Sequence, residues 1–254
     1  MMGGLKTSAW AWACLALVPW WPGLALPAGE SGPAAEPGEE RLAGQAASQA
    51  LARISEAFRQ QPCVRADVLS ETDDELLGPQ QEKGELILKR PDRLLRRFSG
   101  KSEAVKTMRL TGIELHEFSV TKKMVRVKDF SAAPRALALL RAALTLDAPA
   151  LESHFALTVF GKPAAGQAPA QWRLVLARRP DAKSPLPYRL IQARLADGAP
   201  FFSEIEYVPQ AGHGDRLVER YSQARAVKEL TDADFSEPLL DNSPRETEAV
   251  KELE

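Results

Sequence analysis

Along this 254-residue chain the hydrophobic positions form first one apolar run, then a helical rhythm, and thereafter mostly alternation. Ala47, Ala50, Leu51, Ile54 and Phe58 recur at helical spacing with Arg53, Glu56 and Arg59 opposite, which predicts an amphipathic helix ended by Pro62. The period then changes to two. Val64, Ala66 and Val68 alternate with polar residues through Ser70, and Thr72–Lys83 reads as a polar turn region. Short strands are expected at Gly84–Arg90, Arg93–Phe98, Val105–Leu110, Ile113–Val120 and Lys123–Val127, separated by turn residues such as Gly100 and Gly112.

A different pattern interrupts the strands at Ala132–Leu146. Pro134 suits a first helical turn, and Leu137, Leu140 and Leu144 lie on one stripe that Leu139, Ala142 and Ala143 widen. A helix apolar over so much of its circumference needs cover on more than one side. A second short helix is expected over Pro149–Ser153. Strands resume at Phe155–Phe160, Gln171–Arg178, Leu186–Ala196, Phe201–Val208 and Arg216–Lys228, with hairpin turns at Asp197-Gly198 and Gly212–Gly214 and a closing turn at Thr231–Phe235. Helices do not alternate with strands, so a parallel α/β sheet is excluded. The expected fold class is mainly β (α+β): a curved antiparallel sheet or incomplete β-barrel with helices covering its concave face.

The ends change the totals. Residues 1–28 read as a secretory signal: Lys6, an apolar stretch from Ala9 to Leu26, and small residues placing cleavage near Ala25 or Ala28. The competing reading, a membrane anchor, is disfavoured by Pro19, Pro22 and Pro27 inside the run. Cys14 is a poor lipoprotein acceptor, because most of the apolar run follows it. Residues 29–44 are a flexible lead-in, 45–235 the folded domain, and 236–254 a disordered acidic tail. A formal charge of −1 becomes −2 once Lys6 is removed, which gives nucleic acid no basic surface to bind. Cys63 is then alone and cannot close an intramolecular disulfide; it reads as a quiet core or edge thiol.

At GELILKRPDRLLRRF, Gly84–Phe98, the chain resembles the LolA family of periplasmic lipoprotein carriers, whose members carry a G-x-L-x-x-K-R-P strand. The order of elements agrees: signal peptide, N-terminal helix, the KRP strand, a turn at Thr111-Gly112, a mid-chain apolar helix, C-terminal strands and a closing Asp232–Phe235 segment. The resemblance implies an incomplete barrel that binds acyl chains, helices that act as a lid, and an Arg in the KRP motif, here Arg90, that holds the lid closed. Alternation supports the placement, since it puts Leu86, Leu88 and Arg90 on one face and Glu85, Ile87 and Lys89 on the other. Candidate cavity residues are Leu86, Leu88, Leu94, Met108, Leu110, Leu115 and Phe118, with Leu174, Leu190 and Ile205 from the later strands. Leu137, Leu140 and Leu144 are the candidate lid. The family often lines its cavity with aromatic side chains, whereas these strands offer Leu, Met and Val, so the cargo is open between lipoprotein and another hydrophobic molecule.

Catalytic patterns are weak. His116, His154 and His213 show no metal spacing, and no nucleophile elbow, zinc-protease or phosphate-loop motif occurs. Asp73-Asp74-Glu75 and the Glu204/Glu206 pair read as turn and outer-face charges. The expectation is therefore a non-enzymatic, cofactor-free and metal-free periplasmic carrier. It would act as a monomer, receive lipoprotein or other acylated cargo from an inner-membrane exporter, and deliver it to an outer-membrane acceptor. The alternatives are a non-transporting envelope binding or assembly module, or a specialised carrier of a non-lipoprotein hydrophobic product.

Overall fold

A computed structural model describes residues 34–74, 78–99, 105–119, 123–165, 169–179, 188–209 and 216–250. The expected signal peptide with Cys14, together with Glu75, Gly100, His213 and the Gly212–Gly214 turn, lies outside them.

The chain builds one sheet. Its strands are β1 (Glu40–Leu42), β2 (Cys63–Asp74), β3 (Gly78–Lys89), β4 (Arg93–Ser99), β5 (Val105–Thr111), β6 (Glu114–Ser119), β7 (Met124–Asp129), β8 (Phe155–Lys162), β9 (Gln171–Arg178), β10 (Tyr188–Ala196), β11 (Glu204–Pro209), β12 (Arg216–Ala226) and β13 (Arg245–Ala249). They pair in the order β1-β8-β9-β10-β11-β12-β2-β3-β4-β5-β6-β7-β13, an open arrangement that is antiparallel except where β13 runs parallel to β7. Helices α1 (Gly44–Gln60), α2 (Pro134–Thr145) and α3 (Ala148–Glu152) cover one face. A 3-10 turn, Asp232–Phe235, and α4 (Pro238–Asn242) lie on the other.

The alternation sorts the two faces. On β2 and β3, Val64, Ala66, Val68, Leu86 and Leu88 join the larger core with Ile54 and Phe58 of α1 and Leu137, Leu140 and Leu144 of α2. One residue out of phase, Cys63 and Ile87 join a smaller core on the opposite face with Leu95, Phe118, Val125, Val127, Leu230, Phe235 and Leu240. A two-residue period has no other way to serve two apolar layers.

Three expectations are corrected. The polar stretch Thr72–Lys83 is not a turn region: β2 and β3 continue through most of it, pairing Ser70 with Glu82 and Glu71 with Gln81. Ladder hydrogen bonds need no apolar side chains, so polar strand extensions escape a hydrophobicity reading. The lead-in is also anchored. β1 pairs with β8, and Glu39 accepts from Arg173 at 2.6 Å while Glu36 pairs with Arg194.

The third correction concerns the acidic tail. Residues 236–250 form α4 and β13: α4 continues from the 3-10 turn over a row of arginines on the outer face, and β13 joins the sheet edge beside β7. Arg65 pairs with Asp234, Arg93 with Asp232, Arg97 with Glu237 at 2.8 Å and Arg109 with Asp241 at 2.8 Å. Leu240 is buried in the outer-face core, and Val250, just past β13, in the larger core. Acidic composition reads as solvated only while its basic partners, distant in sequence, are unknown.

Candidate functional site beneath the helices

The site is the helix-covered face of the sheet. Leu86, Leu88, Leu94, Met108, Leu110, Leu115, Leu174 and Ile205 all belong to its core, each no more than 9% exposed. Two named residues lie elsewhere. Phe118 packs in the opposite core, paired across from Thr107 and Val125. Leu190 is half-buried on the face it shares with Gln192 and Arg194, because Ile191, Ala193 and Leu195 take the covered positions of β10. Both slips are one-residue errors of phase; Leu190 also follows a register shift at the start of β10.

Aromatic residues reach this face from the later strands, as Tyr188, Tyr207 and Tyr221, and also by a route outside the strands. Phe58 comes from α1, and Phe201 and Phe202 from the loop between β10 and β11, where a strand start was expected. Phe58 meets Phe202 edge-on at 5.3 Å, and Phe201 meets Tyr221 edge-on at 4.8 Å. Tyr188 and Tyr207 stand 5.1 Å apart on neighbouring strands. No local periodicity brings α1 to this loop; only the closed fold does.

Arg90 follows the last apolar position of β3 and is 9% exposed. Its guanidinium lies 4.1 Å over the Phe58 ring. Nε donates to the Leu144 carbonyl at 2.8 Å, Nη1 to the Gln61 carbonyl at 2.7 Å and Nη2 to the Pro200 carbonyl at 2.8 Å. One fork of donors thus ties the last turn of α2, the end of α1 and the β10–β11 loop to a single strand. Burial lowers the pKa of the guanidinium to about 10, which leaves it charged at neutral pH. Among the described residues no carboxylate joins it, so carbonyl dipoles and the face of the Phe58 ring balance a buried cation.

The helix that Arg90 holds ends under strain. Leu146 caps α2 in the left-handed region, at φ 52°, a conformation that costs a non-glycine residue about 1 kcal/mol. Ser55 of α1 donates to the Leu146 carbonyl at 2.7 Å, and Arg141 pairs with Asp92 at 3.0 Å. Leu137, Leu140 and Leu144 all face the sheet, and Leu139 and Ala142 are buried beside them, which gives α2 the wide apolar surface its sequence displays.

The expected bystanders are partnered. His116 shares a hydrogen bond with Glu114 at 2.8 Å beside Arg109, Glu204 pairs with Arg194 and Arg220, and Glu206 with Arg216. Among the described residues, no group of three or more His, Cys, Asp or Glu could hold a metal ion, and no helix is long and apolar enough to cross a membrane.

No family model and no curated protein matches the sequence. Solved structures do align. An uncharacterized conserved protein from Thermus thermophilus matches at 10% identity over 80% of this chain and 100% of its own, with a TM-score of 0.50. A LolA superfamily protein from Nitrosomonas europaea matches at 12% identity over 76% and 99% of the two chains, TM-score 0.40. A putative outer membrane lipoprotein-sorting protein domain from Vibrio parahaemolyticus matches at 10% over 75% and 97%, TM-score 0.41. The alignment with the Thermus thermophilus protein, over four fifths of this chain, is a likeness of fold. At such identities the likeness is one of architecture, and what the protein does has to be argued from its own site.

Proposed function

We propose that the protein is a periplasmic carrier that binds the acyl chains of lipoproteins, or of a related lipid, on the covered apolar face and takes them from the inner towards the outer membrane. The observation that carries this reading is the three-way hydrogen bonding of Arg90. A permanent core has no need of a buried guanidinium at the meeting point of two helices and a loop, whereas a lid does. Carrying an acyl chain through water means sheltering it at about 0.8 kcal/mol per methylene, so a 16-carbon chain needs an apolar receptacle worth roughly 12 kcal/mol. The face beneath α1 and α2 is apolar enough to provide that shelter. In the closed form those helices occupy it themselves, so lid and cargo compete for one surface and binding stays reversible.

Residues 1–28 support export, and the role assigned to Arg90 follows the family resemblance of the KRP strand. An exporter in the inner membrane and an acceptor at the outer membrane are the partners this role needs. The test is to recover the mature protein from the periplasm and analyse extracted ligand by mass spectrometry, then to follow transfer by Arg90→Leu. Bound acyl species in the native protein, and a folded variant with altered release, are expected. Consistent absence of any acyl ligand would sink the carrier and leave a non-transporting envelope module; unchanged transfer by the variant would remove Arg90 from the mechanism.

A further inference from the structure

The covered face is not apolar along its whole length. Beyond Gly84 its lateral row runs Glu219 on β12, Ser70 on β2 and Glu82 on β3, paired directly across from one another. Thr72 stands two residues further along β2 on the same face. All four are buried, at 0%, 0%, 3% and 3% exposure. Glu219 is satisfied: Arg96, itself 1% exposed, pairs with it, and the Tyr221 hydroxyl donates to it at 2.6 Å. The other three are not. Among the described residues, neither carboxylate oxygen of Glu82 has a hydrogen-bond partner, and neither the Ser70 nor the Thr72 hydroxyl has one.

Such an arrangement is costly. A buried polar group without a partner loses about 1–3 kcal/mol, and an ionised one more. Three of them side by side, on the face where cargo would lie, form a built set of acceptors awaiting donors. The charge count gives the sign of the missing group. At this end of the face Arg96 and Glu219 cancel, and Glu82 has no partner among the described residues, the buried cation Arg90 lying eight residues away past the far end of β3.

We propose that Glu82, Ser70 and Thr72 form a head-group subsite for a primary ammonium at the end of an aliphatic chain. The ammonium donates to the Glu82 carboxylate and to the two hydroxyl oxygens, while the chain lies along Ala66, Val68, Leu86 and Leu88 towards Arg90. Leu88 to Glu82 spans about 20 Å at 3.3 Å per residue, room for a long chain. The inference rests on the carrier reading and adds a preference among cargoes: cationic amphiphiles over neutral ones, and neutral over anionic.

Calorimetric titration of the purified full chain at neutral pH tests it, with dodecylammonium, dodecanol and dodecanoate each below its micellar concentration. Dodecylammonium should bind about tenfold more tightly than dodecanol, the value of one hydrogen bond to a charged group, and dodecanoate most weakly. Glu82→Gln should bring dodecylammonium down to the dodecanol level while dodecanol binding stays unchanged. Ser70→Ala with Thr72→Val, which keeps the carboxylate, should weaken dodecylammonium several-fold. Equal binding of the three probes, or a preference that survives both variants, overturns the subsite and spares the carrier. Failure of the native protein to bind any of them overturns the carrier reading itself.

Discussion

Single residues on this sheet are held to narrow choices. Gly84, the glycine of the KRP strand, is one: a Cβ built there would stand 2.1 Å from the Arg97 carbonyl oxygen and 2.8 Å from the Phe98 ring. Backbone is the obstacle, so a side chain cannot simply turn aside. Gly84→Ala is expected to lower stability by about 1–3 kcal/mol, the range for overpacking, measurable as a shift in urea midpoint at unchanged slope. The same closeness lets the Arg96 guanidinium lie 4.9 Å from the Phe98 ring on its way to Glu219. The motif's glycine was plain in the sequence, but the reason for it was not, since the carbonyl it makes room for belongs to the next strand. Glu82 was hidden for a related reason. A glutamate in a polar stretch looks solvated until the register sets it opposite Ser70 and beneath a cover.

The elements differ in how they are held. α2 is attached by apolar contact, a few carbonyl bonds and the Arg141–Asp92 pair, whereas the 3-10 turn and α4 are attached largely by charge and β13 by its ladder to β7. Asp241 is held below the usual carboxylate range by its bonds to Arg109 and the Glu237 amide, against the opposing effect of burial. Asp232 is lowered by Arg93, and Asp234 by Thr231 and then Arg65. Carboxylates lowered on folding contribute stability that is fully present above their unfolded values and is lost as pH falls through the folded ones. Acidification below about pH 4 should therefore loosen this strap first, while β2 and β3 stay protected. Amide exchange in α4 and β3 across that range, corrected for intrinsic rates, measures it; parallel loss of protection in both would show that the strap has no separate stability. Periodicity revealed α1, α2 and most strands because each buries a face of its own. It missed β1, β13 and the polar ends of β2 and β3, because an edge strand, or a strand's polar extension, is specified by what it pairs with.

For the whole molecule the central question is what opens. The sheet is continuous and its hydrogen bonds reinforce one another, but α2 joins it through the Arg90 fork, the Arg141–Asp92 pair and apolar surface. Cargo on the covered face should therefore raise exchange of α2 amides at least severalfold while the strands stay protected. Arg90→Leu should produce part of that increase without cargo. Unchanged α2 exchange on lipid binding would mark the helix as fixed core. The sequence by itself determined the two faces of the sheet, the apolar helix between two runs of strands, and the position of Arg90 at the end of an apolar row. These follow from side-chain period and local chemistry, which are properties of neighbouring residues. Only the tertiary structure decided which carbonyls Arg90 meets, where the aromatic residues gather, that the start of the acidic tail lies on the arginines, and that Glu82 is buried without a partner among the described residues. Each of those depends on residues far apart in the chain, and nothing in local spacing records which distant groups a fold will bring into contact.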